Sequence, residues 1–175
     1  GVTAMFEVGE RQERQKGQEG RTFILAWTTT GWTLPGNLFL AVHPEVRYSH
    51  VILSRPERAP EGRVEGRVEG RAGAAQHRYV IAEPLVERVF HGRAHEVIGT
   101  LSAQDLIGKR YKPLFPYFEE EYKDNAFRIV PGDFVTTEEG TGIVHIATGF
   151  GQDDYEVGRR ELVGARHAVP LQHVT

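Results

Sequence analysis

Three short apolar runs, rich in β-branched and aromatic residues, follow one another closely: FILAWTTT (23–30), LFLAVHP (38–44) and YSHVILS (48–54). Each has the length and composition of a strand, and Leu34-Pro35-Gly36-Asn37 supplies turn residues between the first two. Other runs repeat the pattern. VTAMFEV (2–8) reads as a short strand, and HRYVIAEPLVERVF (77–90) as a strand entering a helix. Pro84 falls in that helix's first turn, where its missing N–H costs nothing. HEVIGTLSAQDLIG (95–108) reads as a strand and a one- or two-turn helix ending at Gly108, and FRIVPGDFVTTEEGTGIVHIA (127–147) as two or three strands. GFGQDDYEVGRREL (149–162) starts a helix, with Gln152, Asp153 and Asp154 at its N-terminus and Tyr155, Val157 and Leu162 expected to face inward. So many short strands with so few helices predict an α+β fold: a curled, barrel-like sheet of short mixed strands with a few peripheral helices.

Connections separate these elements. Residues 9–21 form a polar loop, KPLFPYFEEEY (112–122) a proline-broken one, and VPLQHVT a final strand or unfinished end. The segment 56–78 stands apart, because EGRVEGRVEGR repeats a four-residue unit whose glycines oppose a helix. It is expected to be a flexible surface insertion in a single domain spanning 1–175. The chain opens at Gly1, and Met5 is its only methionine, which reads as an excised piece or a processed chain.

Composition narrows the chemistry. The 175 residues suit one domain, and 39% hydrophobic with 26% charged content suits a globular one. Cysteine is absent, so thiolate and disulfide chemistry are excluded. No apolar run reaches the roughly 18 residues of a membrane span, and no secretory signal pattern opens the chain. These features predict a cytoplasmic protein without membrane attachment. A net charge of −3 is not that of a strongly basic nucleic-acid binder, so contact with nucleic acid must be local or helped by a neighbouring domain. The eight histidines make no ligand spacing, and phosphate-loop and serine-elbow patterns are missing. Neither metal nor cofactor is expected.

Two polar clusters remain. One is Thr28-Thr29-Thr30 with Asn37, where strand alternation allows only alternate hydroxyls to face one side. The other is GTGIVH (140–145) followed by GFGQDD (149–154), which places His145 at a strand end and Asp153 and Asp154 at a helix start. Read singly, His145 fits a hydrogen-bonded core or loop histidine and Asp153 a helix N-cap.

Together the two clusters resemble the editing domain inserted into the catalytic domain of isoleucyl-tRNA synthetases. That family carries Trp-Thr-Thr-Thr-Pro-Trp-Thr-Leu-Pro followed by Asn two residues on. Residues 27–37 match it, except that Gly31 replaces the first proline. The family's second motif is Gly-Thr-Gly-x-Val-His, a glycine-rich loop and an acidic residue, matched by GTGIVH and GFGQDD. AVHPE (41–45), IAEPLVERV (81–89) and GDFVTTEEGTG (132–142) fall between in the expected order. Valyl and leucyl relatives have Thr-Thr-Arg-Pro where this chain has Thr-Thr-Thr-Gly, which points to the isoleucyl branch.

The resemblance implies hydrolysis of the ester of Val-tRNA(Ile), with valyl-adenylate as a further candidate and isoleucine excluded. It implies the valine-bearing acceptor end of tRNA(Ile) and the rest of the synthetase in cis as partners, with the isolated domain a monomer. Asp154 matches the acidic residue that holds the α-ammonium group, and Asp153 would cap or support it. His145 matches the pocket histidine that limits side-chain size and contacts the terminal ribose. Thr28, Thr29 and Thr30 match the strand that holds the terminal adenosine and the attacking water. Trp27 would wall the valine pocket, and Asn37 would orient the strand or the ribose. Gly31, Thr148 and Phe150 depart from the family pattern. Two alternatives stay open: a domain that binds the acceptor end with weakened or no hydrolysis, and a free-standing small-molecule esterase.

Overall fold

The computed structural model describes residues 1–9, 20–54 and 76–163. The expected insertion at 56–78, apart from 76–78, lies outside the described residues, as do most of the 9–21 loop and the VPLQHVT tail. The described chain forms one mixed sheet of β1 (Val2–Val8), β2 (Thr22–Thr28), β3 (Phe39–Val42), β4 (Arg47–Leu53), β5 (Arg78–Ala82), β6 (His95–Ser102), β7 (Arg128–Pro131) and β8 (Ile143–Ile146). The helices are α1 (Val86–Val89), α2 (Ala103–Leu106), α3 (Glu119–Tyr122) and α4 (Gln152–Val163). The α+β expectation is met. None of these helices is long and apolar enough to cross a membrane.

β2 organises the sheet. β1 runs antiparallel along its whole length, from Val2 opposite Thr28 to Val8 opposite Thr22. Its other edge is shared by two parallel strands in succession: β5 pairs with Thr22–Ile24, and β8 meets it at Trp27. Beyond β8 come β3, antiparallel, and β7, parallel. β4 and β6 extend the sheet outward from β5. The curl is drawn together by the segment 108–112. Gly108 N–H donates to Ile129 O (2.8 Å) and Tyr111 N–H to Phe127 O (3.0 Å) on the β7 side, while Lys112 N–H donates to Glu7 O (2.8 Å) on β1. Phe6, Ile24, Phe39, Leu40, Ile129 and Ile146 are fully buried, and because Phe39 and Leu40 are consecutive on β3, both faces of the sheet are covered there. Burying each such side chain contributes about 1.5–3 kcal/mol.

The glycines of GTG mark the handover from β5 to β8. Gly140 and Gly142 have φ of +72° and +71°, and a Cβ on either would lie 2.9 Å from Trp27 or 2.3 Å from Ala82. Only glycine meets both demands. Ala82 N–H donates to Thr141 O (3.0 Å) and the Tyr48 hydroxyl to Gly142 O (2.8 Å), which pins the turn between the strands.

Several local expectations are corrected. β2 stops at Thr28, and the chain from Gly31 to Gly36 forms a 3₁₀ turn where Pro35 removes a donor. The 112–122 stretch is not simply a loop: a 3₁₀ turn at Pro116–Phe118 leads into α3, whose N-terminal Glu119, Glu120 and Glu121 suit the helix dipole. The 127–147 region, by contrast, yields two strands with turns across 132–142, within the two or three expected. Tyr155 is 47% exposed and does not face inward, because the inward stripe of α4 runs through Asp154, Val157, Gly158 and Glu161.

Candidate functional site

A pocket of about 250 Å³ opens where β2 ends, lined by Trp27, Thr28, Thr29, Thr30, Thr33, Val144, His145, Phe150 and Asp154. Its floor comes from the chain leaving β2 and from β8 beside it, and α4 contributes Asp154 from across the gap. The two polar clusters, far apart in sequence, therefore meet in space.

All three threonines line the pocket, but they are engaged differently, because β2 ends at Thr28 and the chain turns on the Thr28 hydroxyl. Thr28 and Thr30 face the same side, with hydroxyls 3.2 Å apart, and Thr28 Oγ1 also accepts from Thr30 N–H (3.0 Å). Thr29 is exposed, lines the pocket and makes no hydrogen bond to the described residues. Thr33 joins the set because side chains three apart align in a 3₁₀ turn. Its hydroxyl donates to Thr30 O (2.8 Å) and lies 3.3 Å from Thr30 Oγ1.

His145 is buried and held at both ring nitrogens. Nε2 lies 2.7 Å from Thr33 Oγ1, and Nδ1 lies 3.2 Å from Asn37 Nδ2. Burial lowers its pKa from 6.5 to about 4, so the ring is neutral near pH 7. Asn37 sits behind the ring and does not line the pocket. Its amide donates to Phe39 O (2.9 Å), and its oxygen accepts from the Tyr111 hydroxyl (2.6 Å). Both side-chain polar atoms of Asn37 are thus engaged within the protein.

The helix side differs. Asp154 is half-buried, and one carboxylate oxygen accepts from Ala147 N–H (3.2 Å). Burial raises its pKa; the Ala147 amide opposes that shift, and the charge of Asp153 reinforces it. Its second oxygen makes no hydrogen bond to the described residues. Asp153 is exposed and does not line the pocket. Trp27 is half-buried against the Gly140 turn, and Phe150 is 60% exposed. Thr148 is buried under α4, where a Cβ at Gly158 would lie 2.4 Å from its methyl.

Gly31 takes no left-handed φ, and a Cβ there would meet only Val2, at 3.4 Å. The backbone does not need glycine at this position. Sequence reasoning passed over Thr33 and Tyr111. The fourth threonine of the motif, three after Thr30, carried a signal for the first; nothing local marks Tyr111. Among the described residues no group of three or more metal-ligating side chains gathers.

No protein-family model matches the chain. It is 41% identical over 155 residues to an isoleucine–tRNA ligase of Chlamydia trachomatis serovar L2, and 43% identical over 134 residues to that of Mycobacterium leprae. These alignments cover 88% and 75% of this chain, but only 12% and 11% of the curated relatives. Among solved structures, the editing domain of the Plasmodium knowlesi cytosolic leucyl-tRNA synthetase matches with a TM-score of 0.63 at 16% identity, covering 93% of this chain and 64% of that one. GlLeuRS-CP1 matches with a TM-score of 0.67 at 16% identity, covering 94% and 61%.

Proposed function

The chain belongs to the isoleucine–tRNA ligase family, as one segment of it with an editing-domain fold, and from that premise we propose that it hydrolyses the ester of Val-tRNA(Ile) and spares isoleucine. The observation that carries the proposal is the pairing of one carboxylate oxygen on Asp154, without a hydrogen bond to the described residues, with a wall of hydroxyls and a fixed imidazole across a small pocket.

The physical need is discrimination. An apolar pocket gains only about 1–3 kcal/mol from one methylene, and isoleucine against valine is the standard case. A second site that admits the smaller side chain and cleaves it removes the error. In this reading Asp154 holds the α-ammonium through a charge-assisted hydrogen bond. Trp27 and His145 bound the side chain by shape. Thr29, with the backbone from Thr28 to Thr30, holds the terminal adenosine and the attacking water. Asp153 acts from solvent as a support at the start of α4.

His145 is not the base, because both ring nitrogens are engaged inside the protein. Attack therefore rests on positioning, with a neighbouring ribose hydroxyl assisting. Water oxygen bonds to the ester carbon, the bond to the ribose oxygen breaks, and that oxygen takes a proton. Free valine and an uncharged acceptor end result. The partners proposed are the tRNA(Ile) acceptor end and the rest of a synthetase in cis, in the cytoplasm; valyl-adenylate is a further substrate to assay.

The test is to incubate the protein separately with Val-tRNA(Ile) and Ile-tRNA(Ile). Release of valine with retention of isoleucine is expected. Intact Val-tRNA(Ile) overturns the proposal, and retained tRNA binding would then favour a non-hydrolytic binding domain. Cleavage of simple esters without tRNA would favour the esterase reading.

A further inference from the structure

The hydrogen bonds around His145 leave one arrangement of protons. The Phe39 carbonyl can only accept, so the Asn37 atom 2.9 Å from it is the amide nitrogen. That nitrogen therefore also faces His145 Nδ1, which must accept. Independently, Thr33 spends its one hydroxyl proton on Thr30 O, so it can only accept from His145 Nε2, which must carry the ring proton. Two separate routes reach the same tautomer. Each has an anchor beyond the ring: Thr33 stands in the 3₁₀ turn, and Asn37 is held by the hydroxyl of Tyr111, 74 positions away in sequence. Tyr111 is itself fixed edge-on to Phe6 (ring centroids 5.1 Å apart) and to Phe127 (6.3 Å), on the segment that ties β7 to β1. Tyr111 does not line the pocket.

We propose that Thr33 and Tyr111 are positioning residues that hold His145 in a single Nε2–H tautomer and one ring orientation, Thr33 directly and Tyr111 through Asn37. The effect on hydrolysis rests on the editing reading above; the effect on the ring does not. A ring pinned at both nitrogens presents a fixed edge to the pocket, and size exclusion depends on a wall that does not yield. Were the ring free to turn, it would bring a proton donor or a lone pair into the pocket and change its width.

The test is ¹⁵N NMR of the histidine side chains in this chain, beside deacylation assays, for the wild type, Thr33→Val, Thr33→Ser and Tyr111→Phe. The wild type is expected to show one protonated nitrogen at Nε2 and an unprotonated Nδ1 for His145. Thr33→Val keeps the side-chain shape but removes the acceptor, so the two ring signals should move toward each other as tautomers mix. Valyl-ester cleavage should then fall roughly tenfold, about the worth of one hydrogen bond. Thr33→Ser restores the hydroxyl and should restore both readouts. Tyr111→Phe keeps the aromatic packing and should mix the tautomers in the same direction. A wild-type Nδ1–H tautomer overturns the inference even if the variants fail to fold, as do unchanged ring signals in both Thr33→Val and Tyr111→Phe. A wild type with the expected ring pattern but no deacylation would sink the editing reading and leave the assignment of these two residues to His145 standing.

Discussion

The strand side of the pocket and its helix side differ in what they have left to give. On the strand side, Thr28, Thr30, Thr33, His145 and Asn37 satisfy one another, and the chain of contacts ends on the buried Tyr111. On the helix side, Asp154 stands half-buried with one oxygen bound to Ala147 and the other without a hydrogen bond to the described residues. Apart from Thr29, which lines the pocket without a hydrogen bond to the described residues, the strand-side wall is internally paired, and such pairing supplies shape and resists rearrangement. A carboxylate that burial pushes toward its neutral form supplies affinity for a cation, because an arriving ammonium relieves the cost of its charge. The motif richest in polar residues is thus largely paired within itself, and a single acidic residue at a helix start faces the pocket from the other side.

Acid should break this comparison most strongly. His145 has a folded pKa of about 4 against 6.5 when unfolded, so the unfolded chain binds the extra proton as pH falls between those values. Stability is retained above 6.5 and declines by on the order of 3 kcal/mol by pH 4. Asp154 has the opposite sign: its raised pKa means that protonation favours the folded state as pH falls through that raised value toward 3.8. Urea unfolding across this range should show the loss, and His145→Gln should show less of it. Equal acid lability in the two proteins would mean that the strand side is not the closed wall described.

The next effect is on catalysis. Asp154→Ala should reduce valyl-ester hydrolysis about 10–100-fold, the equivalent of a charge-assisted hydrogen bond of about 1.5–3 kcal/mol. It should move the unfolding midpoint little, since the buried charge leaves with the side chain. Hydrolysis assays beside a thermal melt separate the two outcomes, and intact hydrolysis would remove Asp154 from the role of anchor. Smallest is Gly31→Ala. Its backbone is not left-handed and a Cβ meets only Val2, so alanine should stabilise the protein by about 0.4–1 kcal/mol without loss of hydrolysis. A destabilised variant would show that the turn after the threonines depends on glycine's freedom.

The strands and both motifs were legible because each rests on local pattern: alternation, apolar runs, and turn residues at fixed offsets. The division among the threonines was not legible from alternation, because β2 ends at Thr28 and all three line the pocket. Thr33 was harder to place, because its role depends on β2 giving way to a 3₁₀ turn two residues early, and strand patterning does not announce where pairing stops. Asn37 read as a ligand candidate because its pairing with Phe39, His145 and Tyr111 is tertiary. Tyr111 had no signal at all: a tyrosine between basic residues becomes part of the site only when 108–112 spans β7 and β1. The sharing of β2's edge by β5 and β8, which opens the pocket, is likewise a property of three strands from separate parts of the chain.

That spanning segment also bears on how the molecule comes to be. β1 and β2 are near neighbours in sequence, whereas the contacts of 108–112 join Glu7 to Phe127 and Ile129. Distant pairings bear the greater loop-closure cost and are expected late. Because Tyr111 rides on that segment, the brace that reaches His145 through Asn37 is set by the same contacts that draw the curl together. A copy in which those contacts have not formed therefore leaves His145 with one of its two braces, the hydroxyl of Thr33, and without the support that reaches it through Asn37.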